Sequence, residues 1–210
     1  MKIISTNIAQ PTTVSWRGKE VKTGIYKHPT KEPIFLGKED VVNDAVIDRK
    51  HHGGEYKACY LFSSECYGYW HKKYPALSWN WGMFGENLTV EGLNENQIRI
   101  GDIYKVGSAV VQVTEPRQPC YKLGIKFGSQ KVLKEFIAHG HPGTYVRILT
   151  EGSVTKGDII ELVEQSQTPL SVQQYHLLVN RKSNDPNLIR MAVANVSIPE
   201  KKRELLKKRL

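Results

Sequence analysis

The chain has 210 residues, 40% of them hydrophobic and 24% charged, with a formal net charge of +9. That is the composition of one compact domain, or of one domain with a small appendage, and it excludes collagen-like, disordered and disulfide-dense chains. No stretch reaches the roughly 18 apolar residues of a membrane-spanning helix, Met1-Lys2-Ile3-Ile4-Ser5 lacks the apolar core of a secretory signal, and three cysteines without a Cys-x-x-Cys pair argue for a reducing compartment, so the cytoplasm is expected.

The first two thirds of the chain read as short β-prone runs punctuated by Gly, Pro and Asn. Strands are expected at Lys2 to Ile8, Glu20 to Tyr26, Val41 to Ile47, Ala58 to Phe62, Ile98 to Val106, Ala109 to Thr114, Thr144 to Thr150 and Asp158 to Val163. Gly107-Ser108 is expected to join two of them in a tight turn. Tyr67, Trp70 and Tyr74 at helical spacing predict a helix over Ser64 to Tyr74, and Val132, Leu133, Phe136 and Ile137 predict another over Ser129 to His139, stopped by Gly140. Many strands and few helices favour a closed or partly closed barrel. From 166 onward the pattern changes. Ser171 is placed to cap a helix over Val172 to Asn180, Asp185-Pro186 opens one over Asn187 to Asn195, and Ser197 to Pro199 opens one running to Leu210. This tail, from Thr168, carries +6 of the net charge and the rest +3, which sets a boundary near Gln165 to Pro169: residues 1–165 as a β domain and 166–210 as a three-helix extension. Such a basic face suits an anionic partner, or is simply solvated.

Three stretches can carry chemistry. In Asp48-Arg49-Lys50-His51-His52-Gly53-Gly54-Glu55-Tyr56-Lys57, the Gly-Gly pair makes a turn, and positive φ at both glycines would form an anion-binding nest beside His51, His52 and Lys57; a charged surface turn is the plainer alternative. In Phe84-Gly85-Glu86-Asn87-Leu88-Thr89, two glycines at 85 and 92 bracket a short strand, and Asn87 offers a donor and an acceptor to a heterocycle, or serves the turn itself. In Thr114-Glu115-Pro116-Arg117-Gln118-Pro119-Cys120, two prolines stiffen the loop that presents Cys120 between Arg117 and Lys122. A thiol there is suited to be a nucleophile or a soft metal ligand, whereas Cys59 and Cys66 lie in apolar runs and read as packing residues. A zinc site from His51, His52, His139, His141 and Cys120 is allowed but not demanded by any spacing, and there is no P-loop, GxGxxG or GxSxG motif.

Taken in order, Asp48-x-x-His-His-Gly-Gly-x-x-Lys-Ala58, Phe84-Gly85-Glu86-Asn87-Leu88-Thr89, Gly101-Asp102, Pro116-Arg117-Gln118-Pro119-Cys120 and Gly157-Asp158 resemble the MOSC domain, named after the C-terminal domain of molybdenum cofactor sulfurases, and the tail is similar to the three-helix extension of YiiM-type proteins. The resemblance implies a mainly β, barrel-type fold that binds a molybdenum cofactor, with Cys120 as metal ligand and catalytic residue. It also implies that His51, His52, Gly53, Gly54, Lys57, Asn87, Thr114 and Arg117 surround the pterin and its phosphate. Relatives of this kind reduce N-hydroxylated compounds such as hydroxylaminopurines to amines, with water released. Without a flavin or nicotinamide motif the electrons are expected from a separate reductase, for which the basic tail is a candidate docking surface. A non-catalytic cofactor carrier is the alternative. A nucleic-acid-binding tail ranks below both, because the tail shows no recognition-helix pattern and its one aromatic is Tyr175.

Overall fold

The computed structural model describes residues 1–210, the side chain of Lys50 excepted. The elements in chain order are β1 (Lys2–Ile8), β2 (Thr12–Trp16), β3 (Lys19–Thr23), β4 (His28–Pro29), β5 (Ile34–Leu36), α1 (Arg49–His52), a 3-10 turn (Glu55–Lys57), β6 (Cys59–Ser63), α2 (Cys66–Lys73), β7 (Leu88–Glu91), β8 (Ile103–Val106), β9 (Ala109–Pro116), α3 (Tyr121–Lys126), α4 (Lys131–His139), β10 (Thr144–Thr150), β11 (Gly152–Val154), β12 (Ile160–Glu164), α5 (Val172–Val179), α6 (Pro186–Ala194) and α7 (Glu200–Lys207).

Eight strands form one mixed sheet in the order β12-β8-β9-β10-β6-β7-β1-β4, antiparallel except for the parallel pair β6–β7. The sheet curls on itself, because the amide of Ile160 donates to Met1 O (2.8 Å) and the amide of Ile3 to Asp158 O (2.9 Å), joining the start of β12 to β1. Two antiparallel pairs lie outside the main sheet: the hairpin β2–β3, and β5–β11, whose strands are far apart in sequence. Alternation along β9 buries Val111 and Val113 on the inner face, where they meet Val146 and Ile148 from β10. A second core is aromatic. Phe62, Trp70, Phe84, Phe127 and Phe136 pack α2 and α4 against the sheet, with the Phe62 and Phe84 ring centroids 4.2 Å apart.

The three tail helices share the first core rather than standing apart from it. Leu170, Val172, Tyr175, Leu178, Ile189 and Leu206 are buried with Ile100 and Val111 of the sheet region. Backbone bonds continue across the join, from Ile100 N to Leu170 O and from Val172 N to Ile98 O (both 2.9 Å), and the Asn195 amide donates to Ile100 O (2.8 Å). The helix starts behave as their sequences require. Ser171 and Gln174 form a reciprocal capping box, and the Asp185 carboxylate accepts from Asn187 N (2.8 Å) ahead of Pro186.

Several sequence expectations need correction. Val41 to Ile47 is not a strand: Val41 makes a single bridge to Leu36, Asn43 turns with φ +64°, and the Asp44 carboxylate is drawn inward to the amide of Ala9. The strand expected to reach Tyr26 ends at Thr23, which pairs with Thr12, the first residue of β2, so the ladder has no further partner; the next residue, Gly24, passes so close to the carbonyl of Ala45 that no side chain fits there. The strand expected over Ile98 to Val106 begins only at Ile103, because the Asp102 carboxylate gathers the amides of Arg99 and Ser166 into a turn (both 2.8 Å). The hairpin β2–β3, turning at Arg17-Gly18, and the short α3 were not anticipated.

Two substitutions probe this packing. Phe136→Ala removes a ring with no solvent exposure and is expected to lower unfolding free energy by about 3–5 kcal/mol in urea titrations. Tyr175 carries a buried hydroxyl without a hydrogen-bond partner, so Tyr175→Phe is expected to leave stability unchanged or raise it by about 1 kcal/mol.

Candidate functional site

The strand β9 ends at Pro116, and the chain then crosses the end of the sheet as Arg117-Gln118-Pro119-Cys120 before entering α3. Arg117 turns inward. Its guanidinium lies 5.0 Å from the Tyr60 ring centroid and 5.7 Å from that of Phe136, and it donates to the Phe84 carbonyl, while its Nε has no partner. With Arg117 pinned in the aromatic core and both prolines restricting φ, the next turn leaves Cys120 partly exposed.

Cys120 stands in the wall shared by two connected chambers. The outer one has a volume of about 550 Å³ and is bordered by His51, Gln118, Tyr121 and Lys202; the inner one, about 80 Å³, runs in toward Lys27, Asp44, Gly85, Asn87 and Arg117. Asp48, His52, Lys57, Lys122 and Tyr145 line both. The wall draws on distant segments: the stretch from Thr23 to Lys27, the loop and turn from Asp44 to Ala58, Tyr60, Gly85 and Asn87, the loop after β9 with the start of α3, Tyr145 of β10, and Lys202 of the tail helix α7.

The cleft concentrates positive charge. Burial, with the charges of Arg117 and Lys57, pushes His52 down to about 4, so its imidazole is neutral near pH 7. Burial also lowers Lys57 from the usual lysine range, against the opposing pull of Glu115; its ammonium donates to His51 O (2.6 Å) and lies 5.7 Å from the Tyr145 ring centroid. Burial opposes ionisation of Asp48, but its hydrogen bond from His51 (2.9 Å) and the charges of His51, His52 and Lys122 outweigh this and hold the carboxyl below its usual range. On the inner side Lys27 is buried against Asp44, which loses less than it would alone because the Asn87 amide also donates to it (2.9 Å). Burial nevertheless lowers Lys27.

The structure brings His51, His52, Lys57, Asn87, Arg117 and Cys120 to this cleft, with different freedoms. Asn87 lines the inner chamber, but its side-chain oxygen accepts from Tyr60 N (3.2 Å) and its nitrogen is taken by Asp44, so it organises the wall rather than offering free groups. Thr114 does not reach the cleft: its hydroxyl is buried and donates to Tyr56 O (2.7 Å), with Tyr145 O 3.0 Å away. Of the two readings of the Gly-Gly turn, the double-glycine nest does not form. Gly53 is extended (φ −138°), and only Gly54 is left-handed (φ +88°), its carbonyl capping the turn to Lys57 N (2.8 Å). His139 and His141 lie elsewhere, in a separate hollow with Cys66, where His141 pairs with buried Glu95 (3.0 Å). Cys59 and Cys66 are buried, and burial raises both thiols, Cys66 to about 12. Sequence reasoning missed Lys27, Asp44, Glu115, Tyr145 and Lys202; of these only Glu115, beside the proline loop, had a local signal.

Fold and site together define a curled-sheet protein with a cationic cleft built around a loop thiol. The chain belongs to the MOSC domain family, whose match covers residues 48–161. It is 39% identical over 171 residues to the Bacillus subtilis protein YflK, a match spanning 81% of this chain and 77% of YflK. It is 32% identical over 175 residues to a Gibberella moniliformis protein named "Reductase"; that match spans 82% of this chain but only 31% of the fungal protein. The crystal structure of YiiM from Geobacillus stearothermophilus superimposes with a TM-score of 0.82 at 32% identity, covering 100% of this chain and 98% of that one. YiiM from Escherichia coli, at 21% identity and a TM-score of 0.74 over 100% of this chain and 92% of that one, has the same fold. No helix is long and apolar enough to cross a membrane.

The His52 environment has a measurable consequence. An unfolded histidine protonates near its ordinary value of about 6.5, whereas the folded one resists protonation down to about 4. The unfolded chain thus binds the extra proton between these values, and stability falls as pH drops through that window. Urea unfolding at pH 7 and pH 4.5 is expected to show a loss about 2 kcal/mol larger in the wild type than in His52→Gln.

Proposed function

We propose that the protein is an oxidoreductase that holds a molybdenum cofactor through Cys120 and reduces N-hydroxylated compounds, such as hydroxylaminopurine bases, to amines. The observation that carries the reading is the partly exposed Cys120 thiol in a wall common to two chambers whose cations, Lys27, Lys57, Arg117, Lys122 and Lys202, outnumber the carboxylates of Asp44, Asp48 and Glu115. Sulfur is a soft donor suited to molybdenum. The donor set around it fits an anionic, phosphate-bearing pterin: Lys57, Lys122 and Lys202 offer charge, and the unpartnered Nε of Arg117 is a donor left free at the inner chamber. Membership of a family named for molybdenum cofactor sulfurases and the fungal relative named as a reductase support the same reading.

When bound, the cofactor supplies the electron-pair transfer that cleaves an N–O bond. The net change takes R–NH–OH, two electrons and two protons to R–NH₂ and water. The chain's part is to bind and orient. Lys57 and Lys122 neutralise anionic groups, neutral His52 offers a hydrogen bond without added charge, and the Tyr145 ring lines the space beside Cys120. Electrons arrive from a separate reductase, and the exposed Arg190, Lys201, Lys207 and Lys208 of the tail suit an acidic carrier.

The test is to purify the protein from a host that makes the cofactor, count molybdenum per chain and assay N-hydroxyl reduction with an artificial donor. Cys120→Ser is expected to lose the metal and to lower reduction at least about a hundredfold while folding normally. Cys59→Ser and Cys66→Ser are expected to retain metal and to lose about 1–3 kcal/mol of stability. Undiminished molybdenum in Cys120→Ser would overturn the assignment; metal retained by the wild type without any turnover would leave a cofactor carrier.

A further inference from the structure

We propose that Lys202 is a phosphate-binding residue of the cleft: the three-helix tail supplies an ammonium that meets a phosphate group of the bound ligand, and Glu115 holds that ammonium in its absence. The inference deepens the proposed function and rests on its choice of cleft, not on its redox step.

Lys202 lies on α7, well beyond the 48–161 span that defines the family, yet it borders the outer chamber together with Cys120, Lys57 and Lys122. The other cations of α7 and of the residues that follow it have different employment. Arg203 donates to the carbonyls of Val193 and Ile198 and Arg209 to those of Leu178 and Ser183, all within the tail, while Lys201, Lys207 and Lys208 are exposed. Among the described residues, Lys202 is the tail cation that turns into the cleft.

Its partner there is Glu115, at the end of β9, whose side chain is only 4% exposed while that of Lys202 is 32% exposed. A buried carboxylate left unpaired is costly, so the pair keeps a negative group tolerable in a wall where Lys57 and Lys122 also stand, with Asp48 held by His51. An ammonium has three donors, and Lys202 can bond an arriving phosphate oxygen while still bonding Glu115. The pairing also sets the sign of each perturbation. Without Lys202, an anion loses one charge-assisted donor and faces the bare Glu115 carboxylate. Without the Glu115 charge, Lys202 is released to the anion and a repulsive group disappears. A phosphate in this position belongs either to a pterin cofactor or to a nucleotide substrate.

The experiment is calorimetric titration of inorganic pyrophosphate, at low salt, into the full-length chain from a host unable to make the cofactor. Wild type is expected to bind, Lys202→Met to bind about tenfold more weakly and Lys202→Arg within about threefold of wild type. Glu115→Gln is expected to bind more tightly than wild type. The double variant Lys202→Met/Glu115→Gln contains no stranded carboxylate and is expected to bind more weakly than Glu115→Gln alone, which isolates the donor from the repulsion. Affinity unchanged in Lys202→Met, or equal in the double and Glu115→Gln variants, would reduce the pair to a tether for the tail and overturn the proposal. Absence of pyrophosphate binding by wild type would overturn it too. With cofactor-loaded protein, loss of pyrophosphate binding assigns the subsite to the cofactor's phosphate, and retention assigns it to a nucleotide substrate. Because the titration uses metal-free chain, a failure of Cys120 to hold molybdenum leaves its outcome unaffected.

Discussion

The buried guanidinium of Arg117 fixes the geometry on which the cleft depends. Removing such a cation from water costs several kcal/mol. Here the loss is offset by the π-faces of Tyr60 and Phe136 and by the Phe84 carbonyl, all contributed by the aromatic core. Since Arg117 sits between Pro116 and Pro119, anchoring one side chain orients the whole loop, and Cys120 emerges at the cleft instead of packing inward as Cys59 and Cys66 do. Arginine suits this position better than lysine, because its flat, weakly hydrated head can be sandwiched between rings while still aiming hydrogen-bond donors sideways.

Around this anchor the wall of the cleft is electrostatically poised. Like charges gathered beside one another disfavour their own protonated forms, and this, after burial, is why His52 and Lys57 are shifted downward. Three carboxylates temper the field: Asp44 through Lys27, Asp48 through His51 and Glu115 through Lys202. An anionic ligand would relieve the same crowding, so the property that shifts these groups also makes the wall receptive to one. The tail participates in this balance as well as in the hydrophobic core, where Leu170, Tyr175 and Leu206 complete the burial of residues from the sheet.

How much of this was legible in the sequence follows from the range of the interactions concerned. Strands such as Lys2–Ile8 and Thr144–Thr150, the Gly107-Ser108 hairpin and all three tail helices were marked by local alternation, capping residues and stop signals. The strand expected at Val41 to Ile47 failed because its alternation was overruled by Asp44, which is pulled to Ala9, Lys27 and Asn87 from distant parts of the chain. The Gly-Gly turn similarly showed its flexibility in the sequence without showing that only Gly54 would use the left-handed region.

For the site, the sequence by itself determined that Cys120 differs from the other two cysteines, because prolines and basic neighbours flank it within a few residues. It also determined that histidine, lysine and arginine would be near an ordered turn. Only the tertiary structure decided that Thr114 is spent on backbone carbonyls, that Asn87 is spent on Asp44, and that Lys202 reaches across from the tail to Glu115. Short-range steric and capping preferences are written in adjacent residues, whereas the pairing of a carboxylate with an ammonium 87 residues further along is set by how the helices pack on the sheet.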